Sequence, residues 1–242
     1  MRQADQWILF VSKRGSNRPS SGGDLVMRRR DEIAKSLEEV RREIPSNVTL
    51  IVVTKTFPLS DVEILYELGE RNFGENRDEE GALKSKGLND DALWHFQGGI
   101  QSKKIRSIVS WAYLIHSLDE LSHARKIDEA ARAIGKRQKL LIQINLDEGN
   151  EKRSGIDPIG FEEFASEILK FENLDLLGVM GVAPLGIDPT PSFALLQEKS
   201  MKLRQMKPDA LLISAGMSGD YPIALRFGAT HIRIGSSILG SR

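Results

Sequence analysis

The sequence VTLIVVT at residues 48–54 is the clearest strand of the chain, and Lys55 follows it directly. Its apolar run is nearly continuous rather than alternating, which is typical of a strand covered on both faces, as in a parallel sheet. An amphipathic helix is predicted just before it, at residues 31–42, because apolar side chains recur there at helical spacing. A buried strand beside a helix predicts an α/β fold.

The same alternation continues along the rest of the chain. Further strand candidates are residues 72–74, 93–96, 111–115, 140–145, 176–180, 211–213 and 230–234, with a helical segment before each of them. Eight strands alternating with helices predict a TIM-type (β/α)8 barrel, formed as a single domain by residues 27–242. A doubly wound open sheet is the alternative.

Residues 1–26 differ in composition from the rest of the chain. The stretch from Arg14 to Asp24 is rich in Gly, Ser and Pro, so it cannot bury enough apolar area to offset the entropy lost on ordering. We expect residues 1–26 to form a flexible N-terminal extension. Because Met27 lies just before the first helical pattern, one hypothesis is that translation starts there and that the extension is dispensable.

The charge balance and the absence of cysteine narrow the function. Among 242 residues, Lys plus Arg and Asp plus Glu each number 34, and there is no cysteine. The balance leaves no net positive field to attract nucleic acid or an anionic membrane, and disulfides, thiolate nucleophiles and Cys-ligated zinc are excluded. The apolar run at residues 7–11 is too short to span a bilayer. We expect a cytoplasmic protein without nucleic-acid or membrane partners and, since no HExxH motif or close His/Asp cluster occurs, without a metal.

Lys55 is the most informative single residue. Barrel enzymes place their sites at the carboxyl ends of the strands, and Lys55 follows the first strand. A lysine in this position can be partly desolvated, which favours the neutral amine that attacks an aldehyde. The alternative is an ordinary surface lysine whose aliphatic stem packs on apolar neighbours.

Two serine-bearing loops follow the last two predicted strands. Residues 214–218 read SAGMS and residues 234–237 read IGSS, at the strand ends where barrels commonly build a phosphate site from loop amides. Ordinary turns are the alternative for either loop alone. Arg233, just before the second loop, is predicted to point into the barrel, where a buried guanidinium needs an acceptor such as a pyridine nitrogen or a structural carboxylate.

Taken together, these motifs resemble the pyridoxal phosphate homeostasis proteins, whose barrel is similar to the N-terminal domain of alanine racemase. The resemblance runs from about Arg30 to Arg242. The residues that carry it are VTKT at 53–56, FGEN at 73–76, HFQG at 95–98 with Ile100 and Gln101, SAGMS at 214–218, and RIGS at 233–236 with Ile238, Leu239 and Gly240.

The resemblance implies that pyridoxal 5'-phosphate (PLP) is the cofactor, held as an imine of Lys55. It implies that Arg233 faces the pyridine nitrogen and that Asn76 lies near the ring. The residues it implies around the phosphate are Ser214, Met217, Ser218, Gly235 and Ser236. The sequence departs from the family pattern at two places: Lys103-Lys104 stands where the family usually has Asn-Lys, and Arg153 stands where it usually has Lys.

Three functions are compatible with these residues. The first is a non-catalytic PLP carrier in vitamin B6 homeostasis, expected to be a monomer, with PLP-dependent apo-enzymes as candidate recipients. The second is a racemase-like PLP enzyme, and the third is a barrel that binds another phosphate metabolite. The first is favoured over the second because racemases of this fold use a tyrosine base from an additional β-domain. We expect no such domain here, and the three tyrosines match no such motif.

Overall fold

A computed structural model describes residues 22–147, 150 and 153–240, which form a closed barrel of eight parallel strands. Each strand pairs with the next along the chain, and β1 closes the ring against β8, with Thr49 opposite His231. The predicted TIM-type barrel is therefore confirmed, and the open sheet is wrong. Among the described residues, no helix is both long and apolar enough to cross a membrane.

Strands and helices alternate around the ring. The strands are β1 Thr49–Val53, β2 Asn72–Glu75, β3 Leu93–Phe96, β4 Leu114–Leu118, β5 Gln138–Ile144, β6 Leu174–Gly181, β7 Leu212–Ser214 and β8 His231–Ile234. The α-helices are α1 Gly22–Glu43, α2 Leu59–Glu67, α3 Asp78–Lys84, α4 Ile105–Trp111, α5 Leu121–Ala133, α6 Phe161–Ile168, α7 Thr190–Met206, α8 Tyr221–Arg226 and α9 Ser236–Leu239.

The core has two parts because successive strand side chains point to opposite faces. Residues that face the helices, such as Ile115 and Ile232, join the large apolar cluster between barrel and helices. Inside the barrel a small cluster of Leu114, Leu141 and Met180 fills only part of the space. Buried polar side chains occupy much of the remainder, as described below.

Two sequence predictions about the elements need correction. The fourth strand was predicted at residues 111–115, but Trp111 ends α4 and β4 begins at Leu114. The Trp111 ring lies over Gly81 and its indole N–H donates to Asp78 at 3.0 Å, contacts with α3 that local apolar pattern does not reveal. The first helix begins at Gly22 rather than residue 31, so residues 22–26 of the expected extension are helical. Residues 1–21 lie outside the described residues.

Candidate functional site

A cleft of about 460 Å³ opens at the carboxyl ends of β1, β7 and β8. Its size falls within the range of about 300–1,000 Å³ that small-molecule sites occupy. The residues of the predicted site that line it are Lys55, Met217, Ser218, Arg233, Gly235 and Ser236. The barrel therefore brings together, on one wall, residues from distant parts of the sequence.

Lys55 lies on the turn that follows β1, with its side chain exposed to solvent. The partial desolvation expected for it is therefore wrong, because the turn carries the residue beyond the end of the buried strand. Within the described residues, its ammonium group makes no hydrogen bond or ion pair. The amine is thus free to react with a ligand in the cleft.

The turn itself is unusual in its backbone. Thr56 adopts φ 68°, a left-handed conformation that is disfavoured for a β-branched residue. Its amide donates to Glu80 of α3, and its hydroxyl donates to the Lys55 carbonyl. These contacts hold the strained turn, and with it the direction in which Lys55 leaves the backbone.

A buried ion pair lies beneath this turn. The Lys84 ammonium donates to the Thr54 carbonyl at 2.8 Å, to Glu75 Oε1 at 2.7 Å and to Glu80 Oε1 at 2.8 Å. Burial raises the pKa of the Glu75 carboxyl, while hydrogen bonds from Lys84 and the Thr54 hydroxyl oppose that rise. The pair connects α3 to the ends of β1 and β2. Nothing in the sequence motifs separated Lys84 from the surface lysines of its helix.

The loops after β7 and β8 meet across the cleft, as predicted. The hydroxyl oxygens of Ser218 and Ser236 lie 3.4 Å apart. Gly216 has φ 91°, and a Cβ there would lie 2.8 Å from the Tyr221 Cα, so only glycine permits this approach of the loop to α8. A Cβ on Gly219 would meet nothing within 4 Å, which leaves open space beside Ser218.

Arg233 points into the barrel, as predicted, while Ile232 and Ile234 pack against the helices. Its guanidinium donates to the Ser214 hydroxyl at 2.7 Å and to the Gly181 carbonyl at 2.9 Å. The structural carboxylate weighed as its partner is not found, since no carboxylate among the described residues lies within ion-pair distance. Burial lowers the pKa of Arg233 to about 10, so the side chain remains a cation at neutral pH.

Ser214 and Asn76, two residues of the predicted site, do not line the cleft. Ser214 is completely buried behind Arg233, because β7 ends at this residue and turns its hydroxyl inward. The contact of Ser214 with the phosphate stays a prediction, and its hydroxyl is engaged by Arg233 in this structure. Asn76 lines a separate cavity of about 90 Å³ beside α3 and α4, and its place near the ring stays a prediction. It follows β2 at a point where the Gly98 backbone packs against the Asn76 carbonyl.

Two buried histidines were not predicted as part of the site. His95 entered the sequence analysis only as part of the HFQG motif, and His116 was missed because β4 was placed too early. The rings lie next to each other inside the barrel, with 2.9 Å between His95 Nδ1 and His116 Nε2. Burial lowers the pKa of His95 to about 3 and that of His116 well below its usual value. Both imidazoles are neutral at physiological pH.

The positions that depart from the family pattern make local contacts. Arg153 pairs with Asp147 at 3.2 Å and donates to the carbonyls of Val182 and Ala183. Lys104 pairs with Glu79. Both therefore have structural partners among the described residues.

One cluster of potential metal ligands was not identified from the sequence. Asp119, Glu120 and His123, directly after β4, each bring a ligand atom within 4.8 Å of the others. Asp119 also accepts a hydrogen bond from the Gly155 amide at 3.2 Å. Acidic groups often stand this close without a metal, so the cluster does not by itself define a metal centre.

Known proteins match this chain over nearly the whole barrel. The family model of the alanine racemase N-terminal domain matches residues 29–242. The pyridoxal phosphate homeostasis protein of Mycobacterium tuberculosis is 34% identical over 233 residues, covering 88% of this chain and 90% of the relative. The protein of the same name from Synechocystis is 36% identical over 210 residues, covering 84% and 96%.

Solved structures include proteins with the same barrel fold. PipY of Synechococcus elongatus, whose structure is known with PLP bound, has 33% identity and a TM-score of 0.80, covering 86% of this chain and 100% of PipY. The alanine racemase of Clostridium difficile has a TM-score of 0.76 at 16% identity, covering 88% of this chain and 57% of the racemase. At that identity the second likeness concerns the fold alone.

Proposed function

The chain belongs to the family of pyridoxal phosphate homeostasis proteins, and on that premise we propose that it binds PLP in the cleft, covalently through Lys55, as a non-catalytic carrier. The observation that carries the proposal is that Lys55, Arg233 and the serine-bearing loops line one cleft. An amine, a cation and a set of hydroxyl donors are the groups that an aldehyde, a pyridine nitrogen and a phosphate require.

The residues of the cleft fit this cofactor. PLP supplies an aldehyde that bonds reversibly to primary amines, and Lys55 presents a primary amine without a partner among the described residues. Ser218 and Ser236, which line the same cleft, offer hydroxyl donors to a phosphate. Glycine at position 235 keeps the loop close to β1, since a Cβ there would lie 3.0 Å from the Val53 carbonyl oxygen.

A carrier role is favoured over amino-acid turnover by the surroundings of the cleft. Arg233 remains a cation at neutral pH, and a ring nitrogen facing it stays unprotonated, which weakens the ring as an electron sink. A racemase also needs a proton donor on the face of the substrate opposite the lysine. The tyrosines are bonded elsewhere: Tyr66 to Asp91, Tyr221 to Glu43, and Tyr113 to Lys139.

The phosphate part of the proposal is tested by comparing PLP with pyridoxal, which lacks the phosphate. Charge-assisted hydrogen bonds contribute about 1.5–3 kcal/mol each, so pyridoxal should bind orders of magnitude more weakly. The Ser218→Ala/Ser236→Ala variant should weaken PLP binding in an absorption titration and leave pyridoxal binding unchanged. Equal affinity of the wild-type protein for the two aldehydes would rule out a phosphate site.

The absence of turnover is tested with L- and D-alanine in D2O. We expect proton NMR to show no deuterium incorporation at the alanine Cα over the incubation, while PLP is exchanged or released. Lys55→Ala serves as the control for any background exchange. Steady Cα deuteration that disappears in Lys55→Ala would mean that the protein is a PLP enzyme and not a carrier.

Transfer of PLP to apo-enzymes is the physiological role that we propose for the carrier. The exposed side chain of Lys55 supports it, because amines or a recipient protein can reach the covalent bond without unfolding the barrel. A purified apo-enzyme should recover activity faster from the loaded protein than from the same concentration of PLP trapped by an unrelated lysine-rich protein. Equal rates would indicate release into solution only.

A further inference from the structure

A continuous chain of buried hydrogen bonds runs through the barrel interior to Arg233. Asn72 Oδ1 lies 3.0 Å from His95 Nε2, and His95 Nδ1 lies 2.9 Å from His116 Nε2. His116 Nδ1 lies 2.9 Å from the Ser214 hydroxyl oxygen, to which Arg233 donates at 2.7 Å. Both histidines and Ser214 are fully buried. Four strands, β2, β3, β4 and β7, thus contribute one residue each to a path that ends at the cleft residue of β8.

The chain has only one arrangement of protons that satisfies every member. A guanidinium can only donate, so the Ser214 oxygen is the acceptor of Arg233. The Ser214 proton then has His116 Nδ1 as its acceptor, which places the His116 proton on Nε2, facing His95. His95 in turn carries its proton on Nε2 and donates it to Asn72.

The reverse order fails at Ser214. The serine oxygen would then accept from both Arg233 and His116, and its own proton would have no acceptor among the described residues. An unsatisfied donor at a fully buried position such as Ser214 is costly. Both histidines are also neutral, as their lowered pKa values require, so each has one donor and one acceptor nitrogen.

We propose that His116 and His95 are positioning residues for Arg233. They orient the Ser214 hydroxyl so that its oxygen accepts a hydrogen bond from Arg233, and this bond fixes the guanidinium at the floor of the cleft. This inference rests on the proposed function, because it is through Arg233 that the chain reaches the ring nitrogen of PLP. Neither histidine lines the cleft. Their effect on the ligand is therefore indirect.

The need for such a chain follows from the burial of Arg233. Arg233 is 5% exposed, and no carboxylate among the described residues compensates its charge at ion-pair distance. In the one permitted order every donor points away from Arg233, so the dipoles turn their negative ends toward the cation and polarise one another. The Gly181 carbonyl supplies the second acceptor and holds the plane of the guanidinium.

The proton order is measured directly from the histidine tautomers. Nitrogen-15 NMR of the protein labelled at imidazole should give Nε2–H tautomers for both His95 and His116 at neutral pH, with His116→Asn and His95→Gln used for assignment. An Nδ1–H tautomer at either residue, or a protonated ring, would overturn the proposed order. This measurement needs no ligand, so it is independent of the proposed function.

The positioning role is tested with three matched variants. His116→Leu removes the acceptor of the Ser214 proton, whereas His116→Asn places an amide oxygen at the position of Nδ1 and keeps it. His231→Leu is the control for the loss of a neighbouring histidine, because among the described residues the His231 ring bonds to Thr230 and packs 6.4 Å from the His95 ring without a hydrogen bond to the chain. The readouts are the PLP dissociation constant, the absorption maximum of bound PLP and the unfolding temperature without ligand.

We expect His116→Leu to weaken PLP binding by about tenfold, the scale of one lost hydrogen bond to a charged group, and to shift the absorption maximum. His116→Asn should recover both, and His231→Leu should change neither. The loss of affinity caused by His116→Leu should also be smaller for a PLP analogue with carbon in place of the ring nitrogen. If Arg233→Leu alters binding but His116→Leu does not, the positioning role is wrong. If the wild-type protein does not bind PLP, the proposed function itself fails.

Discussion

Replacing Lys84 with methionine should destabilise the protein far more than a typical surface substitution. The Lys84 and Glu75 side chains are 5% and 0% exposed, and their charged atoms lie 2.7 Å apart. Glu75 Oε2 has no hydrogen-bond partner among the described residues, so the carboxylate depends on contacts to Oε1 alone. Removing the lysine leaves only the Thr54 hydroxyl to stabilise a buried charge.

The expected cost follows from the burial. Breaking a buried ion pair by removing one partner lowers the free energy of unfolding by about 3–5 kcal/mol, because the remaining charge is uncompensated. Lys84→Met should lose that amount in urea denaturation of the protein without ligand. The control is Lys86→Met, two residues along, which removes an exposed lysine that has no ion pair among the described residues and should change stability by less than about 0.5 kcal/mol.

The pH dependence identifies the cause. Burial already raises the pKa of Glu75 in the folded state, and without Lys84 the rise is larger. A raised folded-state pKa leaves the free energy of unfolding unchanged while the carboxyl is protonated in both the folded and the unfolded state. The free energy of unfolding falls as pH rises, because the carboxyl then ionises more easily in the unfolded chain. The loss of stability in Lys84→Met should therefore become smaller as pH falls from 7 toward 5. Adding Glu75→Gln to Lys84→Met should restore stability, because it removes the buried charge. A deficit below about 1 kcal/mol, or one that is independent of pH, would refute this account of the pair.

Two other perturbations have definite outcomes. Gly216→Ala should cost about 2 kcal/mol or more in urea denaturation, because a side chain at φ 91° is strained and its Cβ would lie 2.8 Å from the Tyr221 Cα; unchanged stability would contradict the geometry of the loop. Acid should destabilise the fold before most carboxylates titrate, because two buried histidines and a half-buried one have folded-state pKa values below those of the unfolded chain. Their contribution is fully present above about pH 6.5 and is lost progressively as pH falls toward the folded values. The histidines concerned are His95, His116 and His231. An unfolding free energy that stays constant from pH 7 to pH 4.5 would contradict the claim that these histidines are neutral in the folded protein.

The barrel and most of the cleft could be predicted from the sequence because their signals are local. Continuous apolar runs mark the strands, and in a closed parallel barrel the residues after each strand meet at one mouth. That rule alone places Lys55, Ser218 and Ser236 on one wall. The inward direction of Arg233 follows from strand alternation in the same way.

The parts that sequence did not predict depend on contacts between elements. β4 was placed too early because Trp111 favours a strand locally, while its ring packs on α3. That shift concealed His116, and with it the path from His95 to Arg233. Lys84 has the sequence environment of a solvent-facing helix residue, and only the approach of α3 to the ends of β1 and β2 buries it.

The most direct test of the central claim is reduction of the PLP-loaded protein with borohydride, followed by peptide mapping. We expect the pyridoxyl mass on Lys55 alone, because its amine lines the cleft beside Arg233 and has no partner among the described residues. The Lys55→Ala variant should fold normally and show neither the visible absorption band of bound PLP nor the modified peptide. Stoichiometric labelling of a different lysine, with Lys55 unmodified, would contradict the assignment of the cleft as the PLP site.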